Sequence, residues 1–238
     1  MSEPRPLTPL SRLPDFDPRT VPVHAVDSHL PAVPAPALAA PALVRRFASP
    51  PAWEPEVRVE PRYSDRSSVP ASVLVPIVQR AEPMLLLTQR TGHLSTHSGQ
   101  IAFPGGKRDD TDADLVATAL REAQEEVGLA PSHVEVIGQL PVYVTGTRFV
   151  VTPVVALVAP GFQLQPNDHE VAAVFEVPLA FLMNPANHRR HVFPYEGGQR
   201  QFLSMPWQGR GSDGVPREYF IWGATAAMLR NLYGFLSR

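Results

Sequence analysis

The chain contains no cysteine among its 238 residues, which excludes disulfide bonds, thiol nucleophiles, cysteine-ligated zinc and iron–sulfur clusters. It lacks the run of roughly 18 apolar residues that a transmembrane helix needs. Its first residues also lack the basic and apolar regions of a secretory signal. No charge sign is in excess, since 21 basic residues face 23 acidic ones, and this disfavours nucleic-acid binding through bulk positive charge. We therefore expect a cytoplasmic protein with neither a membrane nor a nucleic-acid partner.

Hydrophobic residues make up 44% of the chain, which is enough for a packed core and excludes a wholly disordered protein. Proline is unevenly placed, with 15 of the 28 prolines in residues 1–70. Because proline fixes φ and removes a backbone donor, residues 1–65 are predicted to form a largely irregular Pro/Ala-rich arm with a short helix near Ala42–Ala48. The arm is interpreted either as a mobile tail or as a segment packed on the core or a partner subunit, anchored by Phe47 and Trp53.

Residues 66–238 are predicted to form one domain. Apolar runs predict strands at 71–79, 84–90, 101–106, 134–145, 149–159 and 171–179, and a hairpin of 191–196 with 200–207. Helical spacing of apolar residues predicts helices at 113–127 and 219–236. Because strands and helices do not alternate as βαβ units, the order favours an α+β fold with a mixed sheet between helices.

Three carboxylates give the predicted helix at 113–127 its chemical interest. Glu122, Glu125 and Glu126 have i, i+3 and i+4 spacing, which places them on one face opposite the apolar stripe. Charges at ~4 Å repel by about 4 kcal/mol at an effective dielectric near 20. A solvated helix face tolerates this, whereas a docked face needs a cation such as Mg²⁺, which prefers oxygen ligands. The loop at Gly105 and Gly106, just before the helix, allows a ligand to approach the backbone closely.

The segment resembles the signature of Nudix hydrolases. Gly106 opens the pattern, and the run from Arg121 to Leu129 (REAQEEVGL) closes it. The opening half departs from the signature, because fourteen residues separate Gly106 from Arg121, one more than usual, and the first glutamate is missing. Either Asp112 or Asp114 substitutes for that glutamate, or these residues only cap the helix.

Upstream residues are similar to the extra motif of the coenzyme A diphosphatase branch of that family. The matching residues are Leu86-Leu87-Thr88, Arg90, His97-Ser98-Gly99 and Phe103 to Gly106. With similar texture at 167–179 and 220–229, the resemblance extends over about residues 70–236 and leaves the arm uncovered.

The resemblance implies a Nudix fold, in which a mixed β-sheet is sandwiched between helices (α/β/α). It implies Mg²⁺ or Mn²⁺ as cofactor, with Glu122, Glu125 and Glu126 as ligands, and Arg121 orienting them. Glu170 is expected to supply a further catalytic carboxylate. The residues expected to bind substrate are Arg90, His97, Gly105 and Gly106.

The activity implied by the branch is hydrolysis of the diphosphate of coenzyme A or an acyl-CoA, yielding adenosine 3′,5′-bisphosphate and (acyl-)4′-phosphopantetheine. One alternative keeps the chemistry but changes the substrate to ADP-ribose, a dinucleotide or a damaged nucleotide. The other is a binding module of the same fold without catalysis. The oligomeric state, monomer or homodimer, is left open.

Overall fold

The computed structural model describes residues 16–61, 67–92, 99–195, 198–211 and 214–238. The strands are β1 (Val23–Val26), β2 (Val69–Val78), β3 (Met84–Arg90), β4 (Ile101–Ala102), β5 (Gly105–Lys107), β6 (Val134–Gln139), β7 (Tyr143–Val144), β8 (Phe149–Val158), β9 (Val171–Pro178), β10 (Arg189–Tyr195), β11 (Gly198–Arg210) and β12 (Pro216–Trp222). The α-helices are α1 (Ala40–Ala48), α2 (Leu115–Val127), α3 (Leu179–Leu182) and α4 (Gly223–Leu236). None of the helices in these ranges is long and apolar enough to cross a membrane.

The larger sheet is mixed and has the order β4-β3-β2-β8-β6, with β5 on β2, β7 on β8 and β9 on β3. Its centre is the parallel pair β2 and β8, in register from Val69 opposite Phe149 to Val78 opposite Val158. Both strands are nearly continuous apolar runs, as expected for strands covered on both faces. One face carries α2, whose Ala123 and Val127 pack in a core cluster with these strands. The other face carries α1 and α4, which confirms the predicted α+β class and the sheet between helices.

The smaller sheet is antiparallel and has the order β1-β10-β11-β12. Its middle is the hairpin predicted for 191–196 and 200–207, which pairs Arg189 with Ser204 and continues to Tyr195 opposite Gly198. This sheet packs beside α4 and extends the core of the larger sheet.

The prediction of a final helix over 219–236 was wrong at its start, because α4 begins at Gly223. Residues 219–222 belong to β12, where Tyr219 pairs with Trp207 of β11. The Tyr219 ring also stacks on Phe175 with 3.6 Å between ring centroids. Cross-strand pairing and this stack therefore outweigh the helical spacing, and Gly223, at φ 62°, makes the turn from strand to helix.

The described part of the arm packs against the core. Leu38 and Leu43 of the arm are almost fully buried, and Phe47 and Trp53 contact the Phe235 ring at 4.7 and 5.5 Å between centroids. The short helix predicted near Ala42–Ala48 is α1. Of the two interpretations of the arm, residues 16–61 correspond to the one in which it packs on the core.

A charged cluster, which we call the arm clamp, joins the arm to α4 and β10. It consists of Asp27 and Glu56 from the arm with His188, Arg190 and Arg230. Arg230 donates to Glu56 at 2.6 Å and lies 3.0 Å from Asp27, and Arg190 donates to both carboxylates. His188 is fully buried, and burial lowers its pKa to about 4. The clamp satisfies the buried charge of Arg230, which would otherwise destabilise the core.

Candidate active site

The glycine-rich turn before α2 approaches a carboxylate of the helix directly. β5 pairs with β2, with Gly106 opposite Ser72. A Cβ atom added to Gly106 would overlap the Glu122 carboxylate, and one added to Gly105 would overlap the Ser72 carbonyl and Val73. Neither position therefore has room for a side chain, which explains both glycines by close approach.

The structure separates the roles of the two aspartates that the sequence left open. Asp114 is the N-cap of α2, and its side chain accepts from the Ala117 N–H at 2.8 Å. Asp112 is buried instead and accepts from Nε and Nη2 of Arg121 at 2.9 and 3.0 Å. It also accepts from the Thr118 hydroxyl at 2.8 Å. The paired Arg121 guanidinium keeps the pKa of Asp112 well below its usual range, so Asp112 is the fixed anionic partner of Arg121.

Arg121 connects Asp112 to the glutamates of α2. Its Nη1 donates to Glu122 at 3.0 Å and to Glu125 at 2.9 Å, while its Nη2 donates to the Lys107 carbonyl at 3.1 Å. The guanidinium thus holds the three carboxylates of Asp112, Glu122 and Glu125 and the backbone of β5 in one charge-assisted network. The orienting role of Arg121 stays a prediction, and these are the contacts through which it would act.

The sequence left open whether the glutamate face of α2 is solvated or docked, and the structure shows that it is exposed at Glu125 and docked at Glu126. The Glu125 side chain is 58% exposed, but Glu126 is only 4% exposed. The loop after β8 covers the end of α2, where the Asn167 N–H donates to the Glu126 carbonyl. The Glu126 carboxylate accepts from the Gly105 N–H at 3.2 Å. Burial raises the pKa of Glu126 to about 7.

Glu170 lies in the loop that covers α2 and acts electrostatically on both Glu122 and Glu126, raising their pKa values. Asn167 Nδ2 lies 3.4 Å from the Glu170 carboxylate, and the Thr91 N–H donates to the Glu170 carbonyl. Asn167 was missed at the sequence level, although Asn before Asp-His-Glu is typical of an Asx turn. The loop thus brings Glu170 to the glutamates of α2.

The donor chemistry of Glu122, Glu125 and Glu126, with Glu170 in the covering loop, fits a hard divalent cation, which prefers carboxylate oxygens. Burial is the main cause that raises the pKa of Glu122, with Glu125 and Glu170 adding to it, so added positive charge would be favourable here. As the side chains lie, no group of three acidic or histidine residues in the described ranges has a metal-binding arrangement. Arg121 holds Glu122 and Glu125, so a cation must draw a carboxylate away from it.

Arg90, at the end of β3, is a predicted substrate contact whose side chain lies close to the glutamates. Its Nη1 lies 3.8 Å from Glu126 Oε1. The structure thus brings Arg90 together with Gly105 and Glu126, whereas His97 lies outside the described residues.

Two surface cavities of about 310 Å³ each lie among the described residues. One is lined by Arg45, Arg46 and Leu236, and the other by residues such as His133 and Leu157. Neither contains a glutamate of α2. The chemistry of the acidic cluster identifies the candidate site better than cavity volume does.

In known proteins, a helix with clustered carboxylates that docks beside a Gly-Gly turn on a mixed sheet is typical of hydrolases that act on diphosphates. The NUDIX domain family matches residues 69–195. The chain therefore belongs to the Nudix hydrolase family.

Relatives agree with this assignment. The chain is 47% identical over 165 residues to an uncharacterized Nudix hydrolase named NudL from Escherichia coli O157:H7, covering 68% of this chain and 80% of the relative. A NudL of Shigella boydii serotype 18 has the same identity and coverage.

Two solved structures are also similar. A binary complex of the Caenorhabditis elegans Ap4A hydrolase matches with a TM-score of 0.41 and 22% identity, over 50% of this chain and 85% of that one. The NUDIX domain of Shewanella oneidensis NrtR, complexed with ADP ribose, matches with a TM-score of 0.38 and 23% identity, over 50% and 79%.

Proposed function

We propose that this Nudix hydrolase cleaves the diphosphate linkage of coenzyme A or an acyl-CoA in the presence of Mg²⁺ or Mn²⁺. The observation that carries the reaction class is the placement of Glu122 and Glu126 of α2 against the Gly105-Gly106 turn, with Glu170 in the loop that covers the helix. The coenzyme A substrate is supported by the residues of 86–106 that resemble the coenzyme A diphosphatase branch. Its cytoplasmic location stays a prediction.

The residues divide the work by position. Glu122, Glu125 and Glu126 would hold the divalent cation, which supplies phosphate charge neutralisation and a lower pKa for bound water. Arg121 holds Glu122 and Glu125 through two hydrogen bonds in the metal-free protein, and the cation would draw one of these carboxylates away from it. Gly105 and Gly106 let the Glu122 carboxylate and β2 lie directly against the backbone of β5, beside which the diphosphate would bind.

Hydrolysis then requires a base, and Glu122 or Glu170 would accept a proton from the attacking water. The water oxygen forms a bond to one phosphorus in line with the bridging oxygen. The bridging P–O bond breaks, and its electron pair leaves with the other phosphate. Arg90 would contact a non-bridging oxygen, because guanidinium groups match phosphate geometry.

The test is incubation of the purified protein with coenzyme A and millimolar Mg²⁺ or Mn²⁺, with products resolved by mass. Adenosine 3′,5′-bisphosphate and 4′-phosphopantetheine, lost on chelation, are the expected products. Hydrolysis of ADP-ribose or a dinucleotide but not coenzyme A would keep the reaction class and reject the substrate. If no diphosphate is cleaved, the binding-module alternative gains support.

Variants test the metal ligands. Glu125→Gln and Glu126→Gln should abolish turnover, whereas Glu135→Gln, an exposed glutamate on β6, should leave it unchanged. Unchanged turnover in the first two variants would reject the ligand assignment.

A further inference from the structure

Arg90 is an incompletely paired cation that faces the acidic cluster. Its side chain is only 28% exposed, and Nη1 lies 3.8 Å from Glu126 Oε1, which is too long for a hydrogen bond. Its Nε is buried, and among the described residues it has no hydrogen-bond partner. A buried donor without an acceptor is costly, which indicates that another state of the protein uses Arg90 Nε.

The neighbours of Arg90 show what it does in the protein as it stands. The Glu126 carboxylate is buried and accepts a hydrogen bond from the Gly105 N–H. The negative charges of Glu122 and Glu170 destabilise the ionised Glu126 carboxylate, whereas the positive charge of Arg90 stabilises it. The other arginine near the site, Arg121, is bound to Asp112 and the exposed side of α2. Among the described residues, Arg90 is therefore the cation placed to balance Glu126.

A divalent cation and Arg90 would compete for the same carboxylate. Glu126 Oε1 is the oxygen nearest Arg90, and it belongs to a carboxylate that is proposed to bind the metal. Two cations on one buried carboxylate repel each other strongly. Metal binding must therefore push the guanidinium away, and its free donors then match the non-bridging oxygens of a diphosphate.

We propose that Arg90 is an exchangeable counter-ion, which balances Glu126 until a divalent cation replaces it and then turns to the substrate phosphate. This inference rests on the proposed function, because it takes Glu126 as a metal ligand. Arg90 therefore weakens metal binding in the absence of substrate and strengthens substrate binding once the metal is present.

The experiment is a calorimetric titration of the full chain with Mn²⁺ alone, without substrate. Arg90→Gln should bind Mn²⁺ roughly tenfold more tightly than the unchanged protein, a fraction of the bare Coulomb effect because Arg90 is partly exposed. Arg90→Lys retains the charge and should keep the original Mn²⁺ affinity. Arg80→Gln is the matched control, because Arg80, in the turn after β2, pairs with Glu176 of β9 at 2.6 Å and should not alter the affinity.

A second measurement separates exchange from simple repulsion. At saturating Mn²⁺, Arg90→Gln and Arg90→Lys should both raise KM for coenzyme A, because neither side chain offers the planar fork. Mn²⁺ affinity that is unchanged or weaker in Arg90→Gln overturns the inference, since a purely structural role cannot strengthen metal binding. Absence of Mn²⁺ binding by the unchanged protein would reject the metal site itself. Normal Mn²⁺ exchange with no cleavage of coenzyme A would reject only the substrate.

Discussion

Replacing Glu126 by glutamine should stabilise the metal-free protein while it removes metal binding. Glu126 is 4% exposed, and burial raises its pKa from an ordinary 4.5 to about 7. A difference of about 2.5 pKa units corresponds to about 3 kcal/mol, at about 1.4 kcal/mol per unit, that the ionised form costs the fold above pH 7. Glutamine has nearly the same shape and can still accept from the Gly105 N–H, so Glu126→Gln should recover most of this energy at high pH.

The sign of the pH dependence follows from proton linkage. Because the pKa of Glu126 is higher in the folded state than in the unfolded chain, the folded state binds more protons between about pH 4.5 and 7. The stability that Glu126 contributes to the folded state is therefore lost as pH rises through about 7. Between pH 5.5 and 8.5, the stability of Glu126→Gln relative to the unchanged protein should rise by about 2 kcal/mol.

The assay is urea unfolding of both proteins at several pH values with a chelator present, followed by Mn²⁺ titration at pH 8.5. Comparison of the two proteins at each pH cancels the contributions of other groups, including the histidines. A stability difference that does not change with pH would show that burial does not raise the pKa of Glu126. A variant that is destabilised at pH 8.5 would refute the reasoning directly.

Three further predictions test the rest of the site and the arm clamp. Asp112→Asn should weaken Mn²⁺ binding by about 10- to 100-fold, as expected for loss of an orienting partner. Asp114→Ala should instead cost about 1 kcal/mol of stability as a lost N-cap and leave Mn²⁺ affinity unchanged. Equal effects of the two variants on Mn²⁺ affinity would refute this division of roles. Gly106→Ala should lower Mn²⁺ affinity in the same titration, because its Cβ must displace the Glu122 carboxylate; unchanged affinity would contradict the close approach. His188, with a pKa of about 4, should cost about 2 kcal/mol of unfolding free energy as pH falls from 7.5 to 5, since the unfolded chain binds the extra proton; the comparison with His188→Gln in urea unfolding isolates this term, and parallel curves would exclude it.

Elements fixed by local pattern were predictable from the sequence. The long apolar runs of β2 and β8 and the periodic spacing of α2 each have one interpretation that fits. The start of α4 was not predictable, because alternation and helical spacing both suit residues 219–222. Pairing with β11 and the stack of Tyr219 on Phe175, which join residues distant in the sequence, decide the outcome.

The site shows the same division between local and long-range causes. Helical spacing alone groups Glu122, Glu125 and Glu126, and the structure keeps them on one helix. Their different burial is not visible in the spacing, because the loop containing Asn167 and Glu170 covers only the end of α2. The roles of Asp112 and Asp114 likewise depend on which of them Arg121 contacts, and only the folded chain shows that contact.

The arm and the C-terminal helix are connected to the site by a chain of contacts. The arm clamp fixes Arg230 of α4, and the buried Thr225 hydroxyl at the start of the same helix donates to the Ile101 carbonyl at 2.9 Å. Ile101 belongs to β4, which leads within four residues to Gly105, the donor to Glu126. These contacts are buried or partly buried, so movement of α4 would shift the glycine turn. Residues outside the family match, at both ends of the chain, thus help to set the position of the backbone that faces the carboxylates.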